Sequence, residues 1–353
     1  MIGIRTALLL VLLSTSIAGA QPFAYITNSE SDDVSVIDCV SETVIATIPV
    51  GIEPNGVTVG PGGEFVYITN STDNTVSIIR TSDNTVIDTL AVPGIPFGIA
   101  VSPDGEFLYI TIIEGSLTVV SLSDNSIIAN LPISFLPLGI AISPNGGFVY
   151  VTHAEGKTIT VVRTSDNTIA ATVEVGFFPA GVAVSPDGAY IYVANQFSGT
   201  ISVISASTNT VRHTIPVSPS PIGVAVSPLG DYVYVAGGSG LVEIISTQSN
   251  SVTDSIAVGS LPIGISVSSD GQKIYTTNSE DDTVSVINAK RHTMKTINVG
   301  SNPISFGLFI TPSPEVTVPT LGDWGAIMLI CFIAIAGAVA FRYSRNKKAY
   351  PED

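Results

Sequence analysis

Apolar residues come in short runs rich in Val, Ile, Thr and Tyr, broken every few residues by Gly, Pro, Asn, Asp and Ser. β-Branched and aromatic runs bounded by turn formers predict strands. No segment carries the 3.6-residue period of an amphipathic helix. One stretch shows the unit: strands are predicted over residues 54–59 (a), 65–70 (b), 75–79 (c) and 85–90 (d). Turn chemistry separates the strands, as in Ser102-Pro103-Asp104-Gly105 between a and b and Ser82-Asp83-Asn84 between c and d.

The unit repeats. Tyr25, Tyr67, Tyr109, Tyr150, Tyr192, Tyr234 and Tyr275 set its phase, with spacings of 42, 42, 41, 42, 42 and 41 residues. Four short strands on such a period predict the blades of a β-propeller. The a strands begin at Pro54, Pro96, Pro137, Pro179, Pro221, Pro262 and Pro303, which makes seven blades. The chain opens on a b strand at Phe23 and ends its last repeat on an extra a-like strand over 303–310. The expected fold is therefore all-β: a seven-bladed propeller of four-stranded blades. N-terminal strands b, c and d plus a C-terminal strand a close the ring and leave no free edge at the seam. One position of strand a is small throughout, at Thr58, Ala100, Ala141, Ala183, Ala225, Ser266 and Gly307. Crowding of the blades at the axis explains that choice.

The quartets Tyr25-Ile26-Thr27-Asn28, Tyr67-Ile68-Thr69-Asn70, Tyr192-Val193-Ala194-Asn195 and Tyr275-Thr276-Thr277-Asn278 resemble the YVTN family of β-propeller repeats. Those at Tyr109, Tyr150 and Tyr234 drift, ending in Ile112, His153 and Gly237. The resemblance spans residues 24–311. It implies a fold and no particular activity.

Two long apolar stretches lie at the ends. Residues 1–20 read as a signal peptide: Arg5, an apolar run over 7–13, and Ala18-Gly19-Ala20 as cleavage site. Residues 325–341 are 17 residues without a charge. At helical rise they reach about 25 Å, enough for a short transmembrane helix. Arg342, Arg345, Lys347 and Lys348 follow, which places the tail in the cytoplasm and the body outside. Val318, Pro319, Thr320, Leu321, Asp323, Trp324 and Gly325 precede this helix. Motif, helix and basic tail together resemble the IPTL-type sorting signal of exosortase systems in Gram-negative bacteria. Val318 stands where Ile is usual, and Gly322-Asp323 where a Ser-Glu-like pair is usual. The resemblance implies an exosortase-type sorting protease as a partner, which cuts near the motif and releases or transfers the body. An ordinary C-terminal anchor is the alternative. The expected division is thus signal peptide 1–20, propeller 21–311, Pro-rich linker and start of the sorting motif 312–320, and the rest of the sorting motif, helix and tail 321–353. The body is expected to cross the inner membrane, stay anchored for a time, and end at the cell surface or outside.

Composition then changes the picture in one respect. Only 12% of the 353 residues are charged and 45% are hydrophobic, which alone would suggest many membrane spans. The repeats supply a different reason: strands packed on both faces need apolar side chains. The formal charge of −16 is unevenly spread, with −19 on residues 21–323. Nucleic acid is excluded as a partner, since phosphate binding needs clustered bases. Two cysteines, Cys39 and Cys331, exclude a disulfide scaffold.

No catalytic constellation is legible. His153 sits at the Asn position of a quartet and reads as a structural replacement; His213 and His292 read as outer surface. There is no HExxH, CxxC or CxxCH motif for zinc or attached haem. The body has no Trp for a quinone floor, and Trp324 lies beside the membrane segment. Cys39 reads as a buried thiol. Asn70-Ser71-Thr72 matches a glycosylation sequon, a chance match in a bacterial setting.

Two candidate sites remain. Glu30, Asp32 and Asp33 share the b–c loop position with Glu280, Asp281 and Asp282, and ring closure makes their blades neighbours. The six carboxylates are either a Ca²⁺ site of oxygen ligands or two solvated acidic loops. On the same loop face, Phe135, Phe177, Phe178 and Phe197 are candidates for a contact patch, with packing inside the face as the alternative. The expected function is a non-enzymatic interaction or scaffolding module of the cell envelope or matrix, binding a protein or polysaccharide. A lactonase-like or other hydrolase using the central pocket is the alternative, which polar or charged residues converging at the axis would favour.

Overall fold

The computed structural model describes residues 21–313. The signal peptide, the sorting-motif residues and the apolar segment 325–341 lie outside the described residues. Among the described residues no helix is long and apolar enough to cross a membrane.

The described chain is all strand and turn. The first blade holds β1 (Phe23–Asn28), β2 (Asp33–Asp38) and β3 (Thr43–Pro49); the second β4 (Pro54–Val59), β5 (Phe65–Asn70), β6 (Thr75–Arg80) and β7 (Thr85–Ala91). The third is β8 (Pro96–Val101), β9 (Phe107–Ile112), β10 (Ser116–Ser121) and β11 (Ser126–Pro132); the fourth β12 (Pro137–Ile142), β13 (Phe148–His153), β14 (Thr158–Arg163) and β15 (Thr168–Glu174). The fifth is β16 (Pro179–Val184), β17 (Tyr190–Asn195), β18 (Thr200–Ser205) and β19 (Thr210–Pro216); the sixth β20 (Pro221–Val226), β21 (Tyr232–Gly237), β22 (Leu241–Ser246) and β23 (Ser251–Ala257). The seventh is β24 (Pro262–Val267), β25 (Lys273–Asn278), β26 (Thr283–Asn288) and β27 (Met294–Asn298), and a short β28 (Phe306–Leu308) follows. Each blade is an antiparallel meander in sequence order, giving the seven-bladed propeller of four-stranded blades that the tyrosine spacing predicts.

The core lies between blades. One cluster joins Tyr192, Ile201 and Val203 of the fifth blade to Val224, Val233 and Ile245 of the sixth. Each such side chain contributes about 1.5–3 kcal/mol relative to exposure. The middle strands b and c are buried along most of their length, whereas the outer d strands are exposed: in β7 Val86 and Ile87 face solvent. Sheet-on-sheet packing therefore accounts for the apolar strands a to c, not for d. Six of the seven d strands pair with a register shift, as between Ile78 and Ile79. Such bulges twist an edge away from further pairing.

Adjacent blades are tied at the axis by the threonine of the quartet. Thr152 Oγ1 accepts from Gly139 N (2.8 Å) in its own blade and donates to Ala180 O (2.6 Å) of the next. Thr27, Thr69, Thr111 and Thr277 make the same clasp with Asn55, Phe97, Leu138 and Ile304. Ala194 and Ala236 stand at that position in the fifth and sixth blades and make none. The glycine is needed where the strands meet. A Cβ on Gly139 would press into the Ala180 carbonyl, and one on Gly98 into the Leu138 carbonyl.

The ring closes where the termini predict, with a different register. Tyr25 N donates to Phe309 O (2.8 Å), Thr311 N to Phe23 O (2.8 Å), and Phe23 N to Thr311 Oγ1 (2.8 Å). The same bonds in the third blade join Ser102 and Phe107. Thr311 is thus the counterpart of Ser102, and Phe309, not Gly307, takes the small-residue position opposite a quartet tyrosine. Six residues separate Pro96 from Ser102, but eight separate Pro303 from Thr311. The two extra residues bulge toward the axis, where β28 pairs in parallel with β4: Phe306 with Gly56, Gly307 with Val57, Leu308 with Thr58.

Candidate functional site

The b–c and d–a loops share one face of the ring. On that face Phe135, Phe177 and Phe197 are 52%, 55% and 71% exposed. Phe178 is half-buried, with its ring centroid 4.5 Å from that of Phe197. Its backbone is left-handed, at φ 53°, which turns the loop so that Phe177 stands out. Lys157 Nζ lies 3.6 Å from the centre of the Phe177 ring, a cation–π contact that leaves the ring edge free. The d–a loops of the second and third blades add exposed Ile52 and Ile95. These two isoleucines are not legible as surface from the sequence alone. Ile52 stands two residues before the proline of strand a, as Phe135 and Phe177 do, and Ile95 one residue before it; that position is the signal that places them.

The acidic loops are engaged with main chain. Asp32 Oδ1 accepts from Glu53 N (3.0 Å), Asp281 Oδ2 from Ser260 N (2.7 Å), and Asp282 Oδ1 from Asn302 N (2.8 Å). Asp33 Oδ1 accepts from Asn28 Nδ2 (2.6 Å). Glu30 and Glu280 are exposed at the loop tips. Among the described residues no three His, Cys, Asp or Glu side chains are grouped to hold a metal ion. The loops thus act as caps and turns that hold neighbouring segments.

In the fourth, fifth and seventh blades the fourth quartet position, His153, Asn195 or Asn278, links the d–a loop to strand c. Asn195 Nδ2 donates to Thr200 and Ser202, while its Oδ1 accepts from Gly176 N (3.0 Å). His153 does this work in the fourth blade. Its Nδ1 is 3.0 Å from Ser134 O and its Nε2 2.7 Å from Thr160 Oγ1, so Nδ1 carries the proton and Nε2 accepts. Burial pushes its pKa down to about 4. In the sixth blade Gly237 leaves no room for an amide, since a Cβ there would meet the Ser220 carbonyl. Glu243 of strand c is buried and accepts from Ser218 N (2.8 Å) instead.

Other residues singled out by type are structural. Cys39 is a buried free thiol, and desolvation pushes its pKa up to about 11, far from a reactive thiolate. Asn70 is fully buried and donates to Thr75 and Ser77, so the sequon asparagine offers no amide for a glycan. His213 is exposed, and His292 lies 2.8 Å from Asp254 on the outer surface.

At the axis is a cavity of about 370 Å³. Its walls are the inner strands, with side chains such as Ala141, Ala183 and Val226; the Thr58 hydroxyl is the one polar side chain in the lining, and none of the lining residues titrates. Its lining reaches Pro61 and Pro103 of the a–b turns, on the face opposite the phenylalanines.

A YNCE-like β-propeller family model matches residues 14–312, and the chain belongs to that family. No curated protein matches it. Among solved structures, a hydrazine synthase chain from Kuenenia stuttgartiensis is 19% identical, covering 75% of this chain and 92% of that one with a TM-score of 0.69. A functionally unknown protein from Desulfotomaculum acetoxidans is 18% identical, covering 78% and 99%, with the same TM-score of 0.69. The dihydro-heme d1 dehydrogenase NirN, in complex with DHE, is 14% identical, covering 80% and 74%, with a TM-score of 0.62. These likenesses are of fold.

Proposed function

We propose that this YNCE-like propeller is a non-enzymatic binding module whose working surface is the phenylalanine-bearing loop face. The observation that carries the reading is the exposure of three aromatic side chains, Phe135, Phe177 and Phe197, on loops of one face between the third and fifth blades. Aromatic anchors on a rigid scaffold are the usual source of interface energy. The axial cavity supports the same reading, because its lining offers no acid, base or metal ligand for hydrolysis. The hydrolase alternative finds no support there.

The partner is a protein or polysaccharide met outside the inner membrane. Residues 1–20 and the motif, apolar segment and basic tail of residues 318–348 support export followed by sorting. An exosortase-type protease is the processing partner in this reading, and cleavage near the motif of residues 318–325 is its consequence. Intact-mass measurement of the native protein tests it: a mass lacking the basic tail is expected, and a retained tail excludes processing. The triple variant Phe135→Ser, Phe177→Ser, Phe197→Ser tests the surface. Loss of envelope partners from a cross-linked pull-down with the melting temperature kept is expected; unchanged capture overturns the reading.

A further inference from the structure

The inner strands leave something unused. β8, β12, β16, β20 and β24 each end their own sheet, paired on one side with strand b. Ser102, Ser143, Ser185, Ser227 and Ser268 donate their amides to strand b carbonyls. Antiparallel ladders bond alternate residues. The peptide groups of Val101, Ile142, Val184, Val226 and Val267, one residue earlier, therefore turn away from strand b. All five residues line the axial cavity. An unpaired strand edge is a template for another extended chain.

One inner edge is already used in this way. β28, pushed toward the axis by the two-residue excess of the closing strand, adds in parallel to β4 and lies against β8 and β24. Gly307 allows the approach, since a Cβ there would press into the Val57 carbonyl. The protein thus seats one short extended segment of its own at the axis.

We propose that the axial cavity binds a second such segment: a short, uncharged peptide of small apolar residues, added as a strand to a free inner edge. The peptide groups turned toward the cavity call for donors and acceptors, which a hydrocarbon lacks. Ala141, Ala183 and Ala225 leave room for small side chains. The absence of any ionisable group in the lining excludes a free amino or carboxyl terminus, whose charge would be buried without a partner. A volume of about 370 Å³ lies in the range of small-ligand pockets. The site lies at the axis and shares no lining residue with the phenylalanine loops, so it does not depend on the function proposed above.

The test titrates the full chain with N-acetyl-Ala-Val-Ala-amide, with unblocked Ala-Val-Ala, and with benzene. Calorimetry gives affinities, and NMR follows the amides of Val184 and Val226. The blocked tripeptide is expected to bind at least about tenfold more tightly than either comparator, a difference of about 1.4 kcal/mol, and to shift both amides. Ala183→Leu, which fills the cavity, is expected to weaken it at least about tenfold with melting unchanged. If that variant does not fold, Ala141→Val takes its place. Equal binding of the three ligands, no saturable binding of the blocked tripeptide, or undiminished binding to the folded variant each overturns the proposal.

Discussion

The fourth and fifth blades differ at one junction. The fourth is clasped to the fifth through Thr152, and the fifth meets the sixth through Ala194 with no such bond. Glycine packing is common to both: a Cβ on Gly139 or Gly181 would press into the next blade's carbonyl. The comparison separates two layers of adhesion. Main-chain approach at the axis is shared by both junctions, while the side-chain hydrogen bond is an addition that two blades omit. The quartet's fourth position shows the same freedom. Asn195, His153 and the pair Gly237 with Glu243 are three chemical answers to one need, an anchor for the d–a loop.

The largest effect is expected from removing the shared layer. Gly139→Ala should cost about 3 kcal/mol or more, because its Cβ meets fixed backbone. Chemical denaturation would measure this, and a loss below about 1 kcal/mol would mean that the blades can spread apart.

Next is acid. The unfolded His153 takes a proton below pH 6.5, whereas the folded one stays neutral to about pH 4. The unfolded state binds more protons in that window, so stability is full above it and falls as pH drops through it. The loss reaches about 3 kcal/mol. His153→Asn should flatten this part of the pH profile of unfolding free energy, and an unchanged profile would place the acid sensitivity elsewhere.

Glu243→Ser should cost about 2 kcal/mol by leaving the Ser218 amide without its acceptor. Restoring Asn at position 237 in the same chain should not rescue it, since Gly237 has no room. Thermal melting of the single and double variants checks both statements.

The clasp itself is expected to be the smallest term. Thr152→Ala should lower stability by about 1 kcal/mol, and Ala194→Thr should raise it by a similar or smaller amount. Equal and opposite shifts in denaturation midpoint would show that the two junctions differ in this bond alone.

The tyrosine phase, the prolines opening strand a and the turn clusters made the ring and its seven blades legible from sequence. Each is a local signal repeated seven times. The seam was legible in topology but not in register. Nothing local distinguishes Gly307 from Ala100 as a small residue; only the pairing of Tyr25 with Phe309 shows the two-residue excess. The phenylalanines were visible as loop tips, whereas the exposure of Ile52 and Ile95 depends on how their loops turn. The acidic loops were visible as charge, but their engagement with the amides of Glu53 and Asn302 is set by chain segments 20 or more residues away. Glu243 gave no signal because its role exists only beside Gly237.

The seam has a kinetic meaning. Within a blade each strand meets the next across a short turn. The bond from Phe23 to Thr311 spans 288 residues. Among the described residues, closing so long a loop is entropically the most demanding contact, and it is rewarded only when the blades between are formed. The first blade therefore waits, three strands without an inner partner, until the last residues of the body arrive. Folding is expected to end there and unfolding to begin there: a stapled seam should slow the opening of the whole ring far more than the same staple within a blade.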